Sequence, residues 1–386
     1  MINITLKDIN KLVLYKHHLT EDSRTRDLIE VVKDIAGLHA TIPMTPYLSL
    51  FARIDNFTKD LLDEELYVKR LLGKIRSIRR TLYIFPHEMI LTIHLATNKM
   101  VEKQSRKALE FRGISLDTYK SISESILGIL KDKNKEMTSL EIKAALQTKL
   151  NISYILYLMC DQMLLIRTRP RKYFPFDEYF PNFTYLNMKE IEAIILLVQY
   201  YLRSFGPVSE EDIIWWTGLR KTQIKRALNQ IQDEILQVRI SNLNKTLLML
   251  QSDIELIEKS RHIEKKVINL LPALDPYIMG YKERERYFLS NNHYSYVFDR
   301  TGNGTSVILY EGRIIGVWDV ISDERPILKF FLFEDIEDEL INLITQKAQK
   351  IGKFVSNKEV MIKECDSMIP LNERTAGSFM SPLKKN

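Results

Sequence analysis

The chain has 386 residues, 45% hydrophobic and 27% charged, which excludes a disordered polymer and exceeds what a single core usually serves, so several domains are expected. Lysine and arginine number 56 against 50 acidic residues, and the net charge of +6 is compatible with a phosphate backbone as partner without requiring one. The two cysteines, Cys160 and Cys365, form neither a CxxC pair nor a disulfide framework; no secretory segment opens the chain, and the longest apolar run, 191–201, is short and interrupted by Glu192 and Gln199, which argues against a membrane span.

In chain order, residues 6–13 read as a helix and 27–36 as a second, with Leu28, Val32 and Ile35 on one face and Gly37 as its stop. Thr45 is placed to cap a third helix with Pro46 at its first position and Leu48, Leu50 and Phe51 inside. Residues 68–75 are expected to form a further helix. Arg79, Arg80 and Thr81 lead into a strand at 82–85, and Pro86 opens a long helix that turns basic at Lys99, Lys103, Arg106 and Lys107. This is the least regular of three copies of one order: helix, turn, helix, hairpin.

In the second copy, Thr138 and Glu141 make a capping-box pattern for a helix to about 149. Residues 151–162 form the next helix, apolar at Ile155, Leu158 and Met159, and a strand begins at 164–166. The following stretch, 167–174, reads as its wing. Arg167, Arg169, Arg171 and Lys172 make it the most concentrated basic loop in the chain; Pro170 and Pro175 stiffen it, and Tyr173 and Phe174 add stacking surface.

The third copy, 197–250, is the clearest. Ser209 caps a short helix with Asp212 at N3, and Gly218 ends it. A helix at 221–232 carries Ile224, Ala227, Leu228 and Ile231 on one stripe, with Lys221, Lys225 and Arg226 off it. Leu236, Val238 and Ile240 alternate as a strand, 242–245 turns, and 246–250 returns. This is the order of a winged helix, whose second helix is the one expected to enter a DNA groove. From about 267 the apolar period shifts toward two. Strands are expected at 306–310, 313–320 and 328–333, followed by one amphipathic helix at 335–352 and a polar tail at 381–386.

No HExxH, zinc-finger spacing or Walker motif occurs, so neither a metal nor a cofactor is expected. His87 and His94 share a helix seven residues apart, too far to clamp one ion. His17 and His18 are expected in surface or turn roles, with a distant carboxylate as the other option. His39 stands apart: it follows the Gly37 stop and precedes Ala40, Thr41, Ile42 and Pro43. In an extended segment His39 and Thr41 would point the same way, an imidazole and a hydroxyl at one mouth, able to orient a water. The other reading has His39 capping the preceding helix and Thr41 satisfying a turn, and both stay open. Asp275, just before Tyr281, Lys282, Arg284 and Arg286, reads either as part of an internal ion-pair network or as the base of a DNA-facing surface. Trp215 and Trp216 read as packing anchors and Trp318 as core.

Four stretches, in order, carry a resemblance to a known family. The first is Gly37-Leu38-His39-Ala40-Thr41 with 47–53, and the second Arg80-Thr81-Leu82-Tyr83 with Phe85-Pro86. The third is Tyr201-Leu202-Arg203-Ser204-Phe205-Gly206-Pro207 with Asp212, Trp216, Gly218 and Leu219. The fourth is Leu270-Leu271-Pro272-Ala273-Leu274-Asp275-Pro276-Tyr277 with Gly280, Tyr281 and Arg284, then Gly312-Arg313 and Gly316-Val317-Trp318. In these the chain resembles the winged-helix DNA-binding proteins that include the AlkZ-like DNA glycosylases. The resemblance implies a mainly helical α+β protein: three tandem winged-helix (helix-turn-helix) domains and a small C-terminal β-barrel-like module. It also implies a Gln-aliphatic-Gln motif that positions the water attacking the deoxyribose anomeric carbon. Here His39-Ala40-Thr41 stands in its place. Imidazole can hold a water, but the Thr41 side chain is shorter than Gln and cannot act as a base as Asp would.

The resulting expectation is four domains: 1–100 with the candidate catalytic residues His39 and Thr41, 101–185 with the basic wing, 186–260, and a barrel-like 261–386. The resemblance implies double-stranded DNA as the partner, alkylated or crosslinked duplex included. It would be held by Arg167, Arg169, Arg171, Lys172, Lys221, Lys225 and Arg226 in a monomeric cytoplasmic, nucleoid-associated protein. The function it implies is a monofunctional DNA glycosylase hydrolysing N-glycosidic bonds of alkylated or interstrand-crosslinked purines. The alternative is a non-catalytic DNA-binding protein, a lesion sensor or regulator, of the same architecture.

Overall fold

Short helices ended by left-handed residues, and hairpins only two to nine residues per strand, set the architecture of this chain. It is a mainly helical α+β fold with several small sheets. The structure, a computed structural model, describes residues 4–373 apart from 170, 182, 184–186, 241–244, 264–265, 285–290, 322–323 and 325. Pro170 of the expected wing, Asn242 of the expected turn, Arg286 and the tail therefore lie outside the described residues. The chain divides into two compact units. One comprises Met1–Phe57, Tyr201–Trp216 and Gln232–Asn386, the other Thr58–Tyr200 and Thr217–Ile231.

The second of these units contains a complete winged helix. Ser115 accepts the Thr118 N–H and starts the Leu116–Lys133 helix, which ends at Asn134 in the left-handed conformation. The expected capping box forms: Thr138 and Glu141 satisfy each other's backbone N–H groups and launch Ser139–Ala145. Ser153–Asp161 follows, and a three-stranded sheet closes the module in the order 137–138, 172–175, 165–167. Ile126, Leu130, Ile142, Ile155, Leu158 and Leu165 form its core. Preceding it, the Leu72–Arg76 and Leu82–Pro86 strands pair antiparallel, and Pro86 opens the 25-residue His87–Phe111 helix. Buried Asp161 gathers this region, accepting from Arg76 at 2.6 Å and Ser105 at 2.6 Å.

The helix expected at 68–75 does not form. Arg70 adopts φ +57°, which ends the helical stretch, and Leu72–Arg76 takes Leu82–Pro86 as a strand partner instead. Val68, Leu71, Leu72 and Ile75 have helical spacing, but Val68 and Leu71 are 70% and 48% exposed. A short apolar run does not by itself separate helix from strand; here the hairpin partner decides.

In the other unit, Thr5 and Asp8 form a capping box for Leu6–Lys16. That helix is tied to Asp253–Arg261 by a buried Lys16–Asp253 pair at 2.8 Å and by Arg261–Asp8 at 3.2 Å. Tyr201, Phe205 and Trp216 pack as an aromatic cluster. Trp318 is core as expected, its Nε1–H donating to the Leu271 and Val307 carbonyls.

The C-terminal module is not a barrel. Its sheet is open and five-stranded, in the order 361–364, 327–332, 313–321, 307–310, 268–271. Three pairings are antiparallel, and the last, Ile327–Leu332 with Met361–Glu364, is parallel. The Asp338–Ser356 helix makes the crossover between the parallel strands and lays Leu340, Ile344, Ala348 and Ile351 against Leu270, Ile308, Ile315, Trp318 and Phe330. An apolar sheet face must be buried, either by curling the sheet on itself or by covering it. The helix covers it, and outermost strands of four residues do not meet.

Candidate active site and nucleic-acid interface

The Leu28–Asp34 helix closes with Ala36 and Gly37 at φ +51° and +94°, the Gly37 N–H returning to the Val32 carbonyl at 2.9 Å. Only glycine adopts such a φ without strain. The Leu38–His39 strand follows and stops there, with the backbone bending at Thr41. The segment from His39 to Thr41 is therefore not extended throughout. The His39 side chain is buried at 4% exposure and Thr41 is exposed. The two are linked through the backbone: the Thr41 N–H donates to His39 Nδ1 at a long 3.4 Å. While that bond stands, the neutral ring carries its proton on Nε2.

The segment after this loop is firmly anchored. Thr45 Oγ1 donates to the Ala273 carbonyl at 2.8 Å. One turn further along the Thr45–Phe51 helix, Ser49 Oγ donates to Asp275 at 2.7 Å. Arg53 meets both oxygens of Asp275, at 2.8 and 2.7 Å, with neither side chain exposed. Asp275 also accepts the Tyr277 N–H and so caps Pro276–Met279. The internal ion-pair reading of Asp275 therefore holds, but with Arg53 as partner. Arg284 of the nearer basic cluster lies over the Phe298 ring at 3.6 Å and donates to the Gly302 carbonyl.

Nor are His17 and His18 surface residues. His17 is fully buried, edge-on to Phe205 and Tyr277, with Nε2 against the Ser204 carbonyl. Burial first, then the Arg53 charge, holds its pKa well below the usual histidine range. His18 does find a distant carboxylate, Asp34, at 2.9 Å. Only the surface part of the expectation fails: both residues occupy the turn that ends the Leu6–Lys16 helix, and their burial carries no signal in two adjacent polar side chains.

The candidate DNA-contacting residues all belong to the unit built from 58–200 and 217–231. The wing is a tight turn between Leu165–Arg167 and Lys172–Pro175, with Arg171 at φ +63°. Arg169 and Arg171 are exposed and Lys172 half-buried. Arg167 differs. Its guanidinium lies 4.8 Å from the Tyr157 ring centroid, beside the Cys160 thiol, which burial pushes up to about 11. On Lys221–Gln230, Ile224 and Ala227 face inward while Lys221, Lys225 and Arg226 are exposed.

A groove of about 490 Å³ in the same unit is lined by Arg80, Lys99, Lys103, Lys107 and Arg220, with Gln104 and Gln223 between them. Gly218, at φ +71°, lets the chain pass close to Met100, where a Cβ would meet the sulfur at 3.0 Å. An adjoining cavity of about 320 Å³ shares Glu190 and Gln223 and adds Arg226. No described wing residue lines either cavity. The sequence held a signal for the groove, lysines four residues apart on one helix face, but nothing in it said that Arg220 would face them. Arg106, from the same basic stretch, pairs with Glu102 at 3.0 Å.

Among the described residues, no group of three or more His, Cys, Asp or Glu could hold a metal ion, and no helix is long and apolar enough to cross a membrane. A family model described as DNA glycosylase AlkZ-like matches residues 32–353. An interstrand DNA cross-link repair glycosylase from Streptomyces sahachiroi is 25% identical over 165 residues, 42% of this chain and only 43% of that protein. The solved structure of Streptomyces sahachiroi DNA glycosylase AlkZ has the same fold, with a TM-score of 0.75 at 18% identity over 94% of this chain and 100% of that one. Since the family model spans most of the sequence, from the helix before His39 into the last long helix, the chain belongs to the AlkZ-like DNA glycosylase family.

Proposed function

We propose that this protein is a monofunctional DNA glycosylase that hydrolyses the N-glycosidic bond of alkylated or interstrand-crosslinked purines in duplex DNA. The observation that carries the reading is the His39 loop: a buried imidazole, bonded by the Thr41 backbone N–H, with the exposed Thr41 two residues on, where the resemblance would put the family's water-positioning motif. In this reading His39 Nε2–H donates to the attacking water and Thr41 Oγ1 accepts from it. The water oxygen bonds to the deoxyribose C1′ as the C1′–N bond breaks. The base leaves with the bond's electron pair, and the water's surplus proton passes to solvent. An alkylated, cationic purine leaves as a neutral base, so a site that orients water without a strong base is adequate. Arg169, Arg171, Lys172, Lys221, Lys225 and Arg226 would hold phosphates, with Arg167 bracing the wing from beneath.

One observation favours the non-catalytic alternative. His39 Nδ1 already accepts the Thr41 N–H, so it does not at the same time take a proton from water. Single-turnover base release from methylated and crosslinked duplex, against a no-enzyme control, decides. The glycosylase reading expects His39→Ala to slow release by ~10- to 1000-fold with DNA affinity retained, in line with the cost of losing a positioning or acid–base contact. It expects Thr41→Gln to retain or raise the rate. Release absent from wild type on both substrates would favour the binding protein. Robust release that His39→Ala leaves unchanged would move the site elsewhere.

A further inference from the structure

Apart from the His39 loop and the groove, the unit containing the open sheet holds a cavity of about 740 Å³, the size of a small-ligand site. Its lining carries five cations, Arg24, Arg26, Lys347, Lys350 and Lys353, and one carboxylate, Asp55. Asp55 is taken by Arg24, and Lys353 pairs with Glu359 at 3.2 Å. Among the described residues no ion pair engages Arg26, Lys347 or Lys350. Lys347 is half-buried, and burial, Arg24 and Lys350 together push its pKa down. Arg26 and Lys350 are exposed, so like charges gathered at one mouth with a half-buried lysine make a site that an anion would stabilise. The rest of the wall combines the amides of Asn56 and Asn269 with an apolar part, Phe51 stacked on Phe354 with ring centroids 4.4 Å apart and Ile54 and Leu270 also in the lining.

We propose that this cavity binds a nucleotide, its terminal phosphate held by Arg26, Lys347 and Lys350 and its base and sugar lying against Phe51, Phe354 and Leu270. Three unpaired cations match a phosphomonoester dianion better than an internal phosphodiester with its single charge. The volume exceeds what an inorganic ion fills. A phosphomonoester on a nucleoside has two sources, a free mononucleotide or the 5′-phosphorylated end of a DNA strand, and the site chemistry is common to both.

Thermal unfolding and titration calorimetry on the full chain test this with dAMP, deoxyadenosine, inorganic phosphate, and a single-stranded octanucleotide with or without its 5′-phosphate. The expected result is a melting temperature raised by about 2 °C or more by saturating dAMP or the 5′-phosphorylated strand. Deoxyadenosine and the 5′-hydroxyl strand should give no such shift, and inorganic phosphate a smaller one. Binding of dAMP identifies the free nucleotide as a source; binding of the phosphorylated strand without dAMP identifies the strand end. Lys347→Met, which keeps the stem and removes the charge, should abolish the shift while melting no lower than wild type without ligand; Lys350→Glu should also abolish it. The proposal is overturned if neither phosphomonoester shifts wild type, if inorganic phosphate does as well as dAMP, or if Lys347→Met responds like wild type.

Discussion

Replacing Asp275 with Asn would leave the shape of the Arg53 site almost unchanged and remove its negative charge. Arg53 would then be a fully buried guanidinium facing a neutral amide, in a place where neither side chain touches solvent. Removing one partner of a buried ion pair typically costs ~3–5 kcal/mol, because the other charge stays desolvated. Weaker hydrogen bonds from Ser49 Oγ and the Tyr277 N–H, now at 2.7 and 2.9 Å, add to that, each about 1 kcal/mol. Against a usual domain stability of ~5–15 kcal/mol, the variant should fold but sit close to its limit. Urea unfolding followed by tryptophan fluorescence suits the question, because Trp216 and Trp318 are buried in the same unit. A cycle with Arg53→Met and Asp275→Leu, singly and together, should show the double variant costing less than the sum by ~2 kcal/mol or more, since contacting residues couple. A loss below about 1 kcal/mol for Asp275→Asn, or strict additivity in the cycle, would refute the view that this pair anchors the segment after the His39 loop.

Three further outcomes follow from the geometry. Arg169→Ala and Arg171→Ala should each lower the salt slope of duplex binding by roughly 1, alike for different sequences. Arg167→Ala should instead destabilise the wing through its lost Tyr157 contact, and an Arg167 variant that changes only the slope would contradict its packed position. Burial pushes His94 down to about 4, whereas the unfolded side chain titrates near 6.5. Between those values the folded chain binds fewer protons than the unfolded one. Stability should be at its full value above about pH 6.5 and decline on acidification toward 4. His94→Leu should flatten that decline in urea midpoints measured from pH 7 to 4.5, and an unchanged pH profile would argue against the burial.

Local chemistry was legible where it was self-contained. The Thr138–Glu141 and Ser209–Asp212 caps, the Gly37 and Gly218 stops, and the inward Ile224–Ala227 stripe are each decided within a few residues. What needed a distant partner was not. Strand Leu72–Arg76 depends on 82–86, and the partner of Asp275 is 222 residues away. Strand Met361–Glu364 went unnoticed because Met361, Lys363 and Glu364 all face solvent, so no apolar alternation marks it. The barrel expectation came from the resemblance and failed, whereas the apolar pattern itself showed strands followed by one amphipathic helix, and that helix covers the open sheet. For the candidate site, the sequence offered the residues His39 and Thr41 but not their surroundings: the burial of His39 and its contact with the Thr41 N–H depend on the fold around the loop.

An open sheet has rims, and this one treats them carefully. The strand beyond Met361–Glu364 would find only four residues to pair with, two of them Lys363 and Glu364, a poor template for another chain. Inward of it lies Ile327-Leu328-Lys329-Phe330-Phe331-Leu332, six residues with one charge and a strong preference for extended pairing. Met361–Glu364 therefore acts as a cover strip as well as a strand. Peeling it away, through a break after the Asp338–Ser356 helix or through local fraying, would lay bare a segment of the kind that seeds aggregation. The short charged strand keeps that self-associating surface out of reach while leaving the sheet unclosed.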